Sequence, residues 1–366
     1  MDGYRFGPTR IDVEAADADD ARWLREFLIP WFEPCPAGAG DFSVQQIGSA
    51  SAVDALELRQ ATAMLEPRAC FSLDSQVVEL PGWADAGGVV IAESERGCFY
   101  RLRRGRVEVV ARPGMRRVRV GLMRAVREIA AIGMRGEAGC LDLHAAAFAV
   151  EDRAVLLIGP KRAGKTTLLS SALGSGRASL LANDRVFVDT RRHPALAAGM
   201  PTLVSIRPDT IERFPRLASS VPGGSALLHT GEMEAYAAGG LDDAKPRKYA
   251  LSPAQLAEQL GAGTLRCATI AAIVFPEIAP SQPGWSLAPL APEQAAARLR
   301  ENLYGARLGP RPRTVFEEIV DGRLDRESDP SERVARLAAQ IPMLACRLGP
   351  DAYRDGADAW LRALPA

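Results

Sequence analysis

The sequence predicts an α/β protein of two domains, the second built on a mixed sheet. Three observations lead there. The chain has 366 residues, enough for two domains at a prior of roughly 150 residues each. An apolar run, Ala154–Ile158, is followed by a glycine-containing turn and then by a helical pattern at Thr167–Leu173, which reads as strand–loop–helix. And the apolar runs Leu143–Val150 and Ala154–Ile158 are separated only by Glu151, Asp152 and Arg153. A gap that short fits a hairpin and not a crossover, so these two strands are expected to be antiparallel.

The N-terminal domain, 1–136, reads as α+β. Residues 4–14 suggest a strand. Trp23, Leu24, Phe27 and Leu28 recur at helical spacing behind acidic residues suited to a helix N-terminus, and Pro30 should end or kink that helix. Pro34 to Asp41 is a loop by its Pro and Gly content, and residues 42–80 show no clear period. From Gly88, the runs GVVIAES, CFYRLRRG and RVEVVARP read as an antiparallel meander. Its arginines, among them Arg101, Arg103, Arg104 and Arg106, read either as a solvated strand face or as a docking surface for an acidic partner. Val120 to Met134 carries one apolar helical stripe, and Trp23, Trp31 and Trp83 are candidate core residues.

The second domain, 137–366, opens with the hairpin. Gly174-Ser175-Gly176 stops the helix after the loop, and Ala178–Ala182 is a strand ending at Asn183-Asp184. Arg185–Asp189 continues it or turns back. Pro201–Ile206 and Leu265–Phe275 read as further strands, and 292–303, 330–340 and 351–364 as a C-terminal helical region. Residues 216–250, with Glu232, Glu234, Asp242, Asp243, Lys245, Arg247 and Lys248, read either as a mobile loop over the site or as a solvated linker.

Composition excludes several classes. Basic and acidic residues balance at 45 each, so no net basic field argues for nucleic acid. Six cysteines lie scattered, without C-x-x-C pairing, which speaks against a disulfide framework or a cysteine zinc site and for a reducing cytosol. No window approaches the ~18 apolar residues of a membrane span, and no signal segment opens the chain; a soluble cytoplasmic protein is expected. Three dispersed histidines without H-E-x-x-H make a zinc site an unsuitable reading; His193 and His229 lie in loop-like context.

Chemistry concentrates at Gly159, Pro160, Lys161, Arg162, Ala163, Gly164, Lys165, Thr166 and Thr167, where G-x-x-x-x-G-K-T stands between strand and helix. Glycines let backbone N–H groups turn inward, and the helix N-terminus adds partial positive charge, so the stretch is suited to cradle a nucleotide's phosphates. Lys165 would reach the β- and γ-phosphates and the Thr166 hydroxyl would bind Mg²⁺. Asp184, at a strand end after the loop, is a second metal candidate.

His144, a tight hairpin into G-x-x-x-x-G-K-T, and Asn183-Asp184 at the end of the next strand together resemble the HPr kinase/phosphorylase catalytic domain over about Leu141–Asp189. The chain looks more like the HPr-kinase-like proteins of bacterial gene clusters than the carbohydrate-regulating enzyme. The resemblance implies an HPr-kinase-like domain using ATP and Mg²⁺ to phosphorylate a hydroxyl of a peptide, a protein serine or a small molecule. It also implies a homo-oligomer, since that family forms hexamers. It places His144 beside the phosphates, Asp184 at the metal, and Asn183 where the family carries an aspartate that acts as base. An amide has no basic form at neutral pH, so Asn183 would orient the acceptor hydroxyl while Asp184 or His144 takes the proton. Of the family's downstream glutamate and arginine signature, the stretch near Pro201–Arg207 lacks the glutamate; Arg207 or a basic residue within 245–248 would neutralise developing charge instead. The alternative reading is a nucleotide-switched binding module without phosphoryl transfer. Neither an LSGGQ-like signature nor an apolar strand ending in Asp-Glu is present for a transport-type ATPase.

Overall fold

The computed structural model describes residues 1–72, 77–136, 138–206, 210, 213–214, 216–217, 249–304, 313–320, 330–350, 352 and 358–365. These fall into two compact units, one holding the described residues up to Gly139 together with 313–320, the other holding the rest. Both contain a mixed sheet. No helix among the described residues is long and apolar enough to cross a membrane.

In the first unit, β1 (Asp2–Phe6), β2 (Thr9–Glu14), β3 (Glu33–Cys35), β4 (Phe42–Gly48), β5 (Glu66–Ser72), β6 (Val77–Asp85), β7 (Gly88–Glu93), β8 (Cys98–Arg103) and β9 (Arg106–Ala111) form a nine-stranded sheet. Its order is β3-β1-β2-β4-β9-β8-β7-β6-β5. The two pairings around β4 are parallel and the meander from β5 to β9 is antiparallel; its part from Gly88, β7 to β9, is the meander the sequence predicts, and β5 and β6 extend it. Residues 4–14 are not one strand but the hairpin β1–β2, because Gly7 takes a positive φ of 56° at the turn.

Helix α1 (Ala18–Leu28) is capped by Asp17, whose side chain accepts from the Asp20 N–H, and buries Trp23, Leu24, Phe27 and Leu28. Helix α2 (Ala50–Thr62) starts at Ser49 in the same way. It lies in the stretch that showed no clear period, and of its thirteen residues only Val53 and Leu56 are buried. A helix held by two side chains has too thin a stripe to announce itself in sequence. Helix α3 (Val118–Arg135) packs on β2, β4 and β9. Trp23, Trp31 and Trp83 are all buried.

The second unit starts with β10 (Leu141–Val150) and β11 (Arg153–Ile158), an antiparallel hairpin whose turn residues Glu151 and Asp152 have φ of 50° and 62°. Helix α4 (Lys165–Gly174) follows the loop at 159–164. Then come β12 (Ser179–Ala182), β13 (Arg185–Asp189), β14 (Leu196–Met200), β15 (Val204–Ile206), β16 (Tyr249–Leu251), α5 (Pro253–Leu260), β17 (Cys267–Ile278), β18 (Trp285–Pro289) and α6 (Pro292–Glu301). Later elements are α7 (Val315–Ile319), α8 (Ser331–Gln340), β19 (Met343–Leu348) and α9 (Asp358–Arg362). Sheet order is β11-β10-β13-β14-β17-β19-β18, and a parallel pairing of β11 with β17 closes its first five strands on themselves.

Alternate residues of β10 (Leu141, Leu143, Ala145, Ala147, Ala149) and of β11 (Ala154, Leu156, Ile158) join α6 and α8 in one core. The intervening residues of β10 are buried as well; Phe148 meets Trp360 edge-on at 5.6 Å. Strands covered on both faces read as continuous apolar runs, which is how this hairpin appears in the sequence.

One segment departs from the expected two-domain division. Helix α7, expected within 137–366, belongs to the first unit. There Phe316 stands edge-on to Tyr100 at 6.1 Å, Glu317 pairs with Arg135 at 3.0 Å, and the Gly105 N–H donates to the Ile319 carbonyl. Apolar residues in a short helix carry no label of the core they join.

Candidate functional site

Strand β10 organises the site, because it has a different neighbour on each edge along its length. Ala145 pairs with Ile158, the last residue of β11, and from there the chain departs into the loop at Gly159. The edge that β11 leaves is taken up by residues 302–304. The His144 N–H donates to the Asn302 carbonyl at 3.0 Å, and the Tyr304 N–H to the Asp142 carbonyl at 2.7 Å. On the opposite edge, Ala147 pairs with Ala182 of β12 and His144 with Arg185 of β13. Strand β13 therefore continues β12, and Asn183-Asp184 is the break between them. The Ala145 N–H donates to the Asp184 carbonyl at 3.0 Å across this break. Through β10, the start of the loop, His144 and Asp184 are neighbours, although the sequence separates them by up to 40 positions.

The loop's conformation follows from its residues. Gly164 precedes the helix at φ 103°, a value L side chains rarely adopt, and Arg162 sits at φ 71°. Lys161 and Arg162 are exposed. Lys165 is buried, and its ammonium folds back to donate to the carbonyls of Gly159 and Pro160. The first N–H groups of α4 have no partner within the helix and lie at its positive end. Thr166 and Thr167 are part-buried in that first turn. Ser170 and Ser171 are buried within the helix, away from such a role.

His144 Nε2 lies 3.0 Å from Asp184 Oδ1, with the histidine side chain 10% and the aspartate side chain 40% exposed. One member of the pair is thus held inside while the other reaches solvent. Asn183 is part-buried, and its Oδ1 is buried without a hydrogen-bond partner among the described residues. Asp184 and Thr166 both offer hard oxygens. Among the described residues no group of three or more His, Cys, Asp or Glu side chains is placed to hold a metal. A carboxylate plus a hydroxyl is nevertheless the donor set Mg²⁺ uses when phosphates and water complete its octahedron, so these residues fit that ion.

Sequence reasoning missed one pair. Arg185 binds Asp142 in a fork, Nε to Oδ1 at 3.0 Å and Nη2 to Oδ2 at 2.7 Å, with side chains 1% and 5% exposed. The guanidinium also lies 4.0 Å over the Tyr304 ring and 5.4 Å over that of Phe187. Asp142 is two residues before His144 on the same face of β10, and Arg185 directly follows Asp184. The clue was present in two charged residues inside otherwise apolar strands, LDLH and DRVF.

His193 is exposed. His229, Arg207, the basic residues 245–248, and the acidic residues Glu232, Glu234, Asp242 and Asp243 lie outside the described residues, as does most of 216–250.

The chain matches no protein-family model. No curated protein matches it. Among solved structures it has a likeness to the Hpr(Ser) kinase/phosphatase from Coxiella burnetii, at 13% identity and a TM-score of 0.21, covering 40% of this chain and 70% of that one. A likeness this faint identifies neither fold nor activity.

Proposed function

We propose that the unit beginning at Cys140 is an HPr-kinase-like nucleotide-binding domain that transfers the γ-phosphate of ATP to a hydroxyl. The observation that carries this reading is the G-x-x-x-x-G-K-T loop between β11 and α4, its lysine folded over the loop, one strand away from the His144–Asp184 pair. Backbone N–H groups at 164–167 hold the triphosphate, and Lys165 leaves the Gly159 and Pro160 carbonyls for the β- and γ-oxygens. Thr166 and Asp184 would hold Mg²⁺, which would neutralise charge on those oxygens.

The acceptor is a hydroxyl of a peptide, a protein serine or a small molecule. Its oxygen forms the new bond to phosphorus as the bond to the β-phosphate's bridging oxygen breaks, and ADP leaves. Asp184, oriented by His144, takes the hydroxyl proton. Asn183 positions that hydroxyl by donating an amide N–H to its oxygen, which leaves the hydroxyl proton directed at Asp184. Transfer through a loose transition state depends mainly on positioning and electrostatics, so an amide in place of a base does not abolish it.

The test is transfer of label from γ-labelled ATP to a panel of serine peptides and small polyols, comparing the natural chain with Lys165→Ala. Label in an acceptor, lost in the variant, supports transfer. Label appearing only in inorganic phosphate overturns it. ATP binding without any turnover favours the second reading, a nucleotide-switched binding module, which the amide at Asn183 also suits.

A further inference from the structure

The arginines of the first unit's meander take no part in the reading above. Arg59, Arg101 and Arg103 share one carboxylate, Asp85, at 3.0, 3.7 and 3.8 Å. Arg101 and Arg106 share Glu108 at 2.8 and 3.0 Å. Arg104, at the β8–β9 turn, is exposed and meets no carboxylate at ion-pair distance among the described residues. Among the described residues, five guanidinium groups (Arg59, Arg101, Arg103, Arg104, Arg106) are thus served by two carboxylates, a surplus of positive charge.

A cavity of about 370 Å³ opens there, a size that admits a small molecule. Arg103 and Arg104 line it from one side and Arg68, on β5, from another. Gly87 and Gly88 contribute bare backbone. A Cβ on Gly88 would come within 2.0 Å of the Leu102 carbonyl oxygen, so the sheet at this point accepts no side chain. Leu102 and Ile319 add apolar wall, and the Ile319 carbonyl is already occupied by the Gly105 N–H at 3.2 Å. Among the described lining residues, Glu318 is the one carboxylate against three arginines. Arg68 also touches Glu66 at 2.7 Å, where the carboxylate is 52% exposed. Such an exposed pair holds its partner weakly and yields readily to a better anion.

We propose that this cavity binds a small phosphorylated molecule, with the guanidinium forks of Arg68, Arg103 and Arg104 on the phosphate and the remainder of the ligand against Leu102 and Ile319. Arginine's planar fork matches phosphate oxygens two at a time, and a cavity with both basic and apolar walls suits a phosphate that carries an organic group. The proposal rests on the first unit alone and stands apart from the phosphoryl-transfer reading.

Calorimetric titration of the full chain with phenyl phosphate tests it, with inorganic phosphate as the arm that lacks the organic group. Saturable phenyl phosphate binding should survive Lys165→Ala, which removes the lysine of the other candidate phosphate site. It should weaken about tenfold or more in Arg68→Ala/Arg104→Ala, and inorganic phosphate should bind less tightly. Glu318→Gln should tighten binding, a gain that misfolding cannot mimic. Absence of saturable binding, loss of it in Lys165→Ala alone with the fold retained by circular dichroism, or affinity unmoved by both the arginine and the Glu318 changes would overturn the proposal.

Discussion

Lys165, Asp184 and His144 differ in how much of their role their own residue type reveals. The lysine's place in G-x-x-x-x-G-K-T was readable at once, because the motif is local and the physical need behind it is local too. The pairing of His144 with Asp184 was not, since 3.0 Å in space corresponds to 40 positions in sequence and depends on the register of β10 with β13. Two predictions belong at this scale. On the proposed reading, Asp184→Asn should lower phosphoryl transfer by ~10²-fold or more and raise the Mg²⁺ concentration needed, while binding of metal-free ATP changes far less; single-turnover assays across Mg²⁺ concentrations beside equilibrium binding separate these effects. Arg185→Ala should destabilise the fold by about 3–5 kcal/mol in denaturant unfolding, because it removes the buried guanidinium that pairs in a fork with the buried Asp142 carboxylate. Its cost is to the sheet, so it should be visible without any nucleotide.

Elements were legible where one face or both faces are deeply buried. The hairpin β10–β11, the helix α3 and the meander β7–β9 all announce themselves through period or continuous apolarity. Helix α2 and strands β5 and β6 did not, and β14, LAAGM, passed unread because small residues carry little β signal. The hairpin turn offers a test at this scale. Glu151 and Asp152 both stand at positive φ, which suits Asn and Gly better. Glu151→Asn/Asp152→Gly should therefore raise stability by roughly 0.5–1 kcal/mol, read as a higher denaturant midpoint at unchanged slope. A lower midpoint would mean that the turn's side chains contribute something its backbone does not show.

Across the whole molecule the cysteines report on folding. Burial pushes the thiols of Cys70, Cys98, Cys140 and Cys346 up from 9.0 to about 12, whereas Cys35 and Cys267 are only part-buried. In the unfolded chain those four thiols ionise near 9, and in the folded chain they hold their protons to about 12. Between these values the unfolded state binds fewer protons, so stability must fall as pH rises from 9 towards 12. Melting temperatures measured from pH 8 to 10.5 should decline accordingly, less steeply when Cys98 and Cys346 are replaced by Ala. A thiol reagent should modify Cys35 and Cys267 first and the other four only on unfolding. Balanced charge, scattered cysteines and an α/β pattern were all evident from composition and spacing, since these are sums or local periods along the chain. Which core α7 joins, what fills the edge of β10 beyond β11, and that Asp142 holds Arg185 depend on contacts between residues tens to hundreds of positions apart. Local propensity carries no information about such partners; strand register and burial choose them.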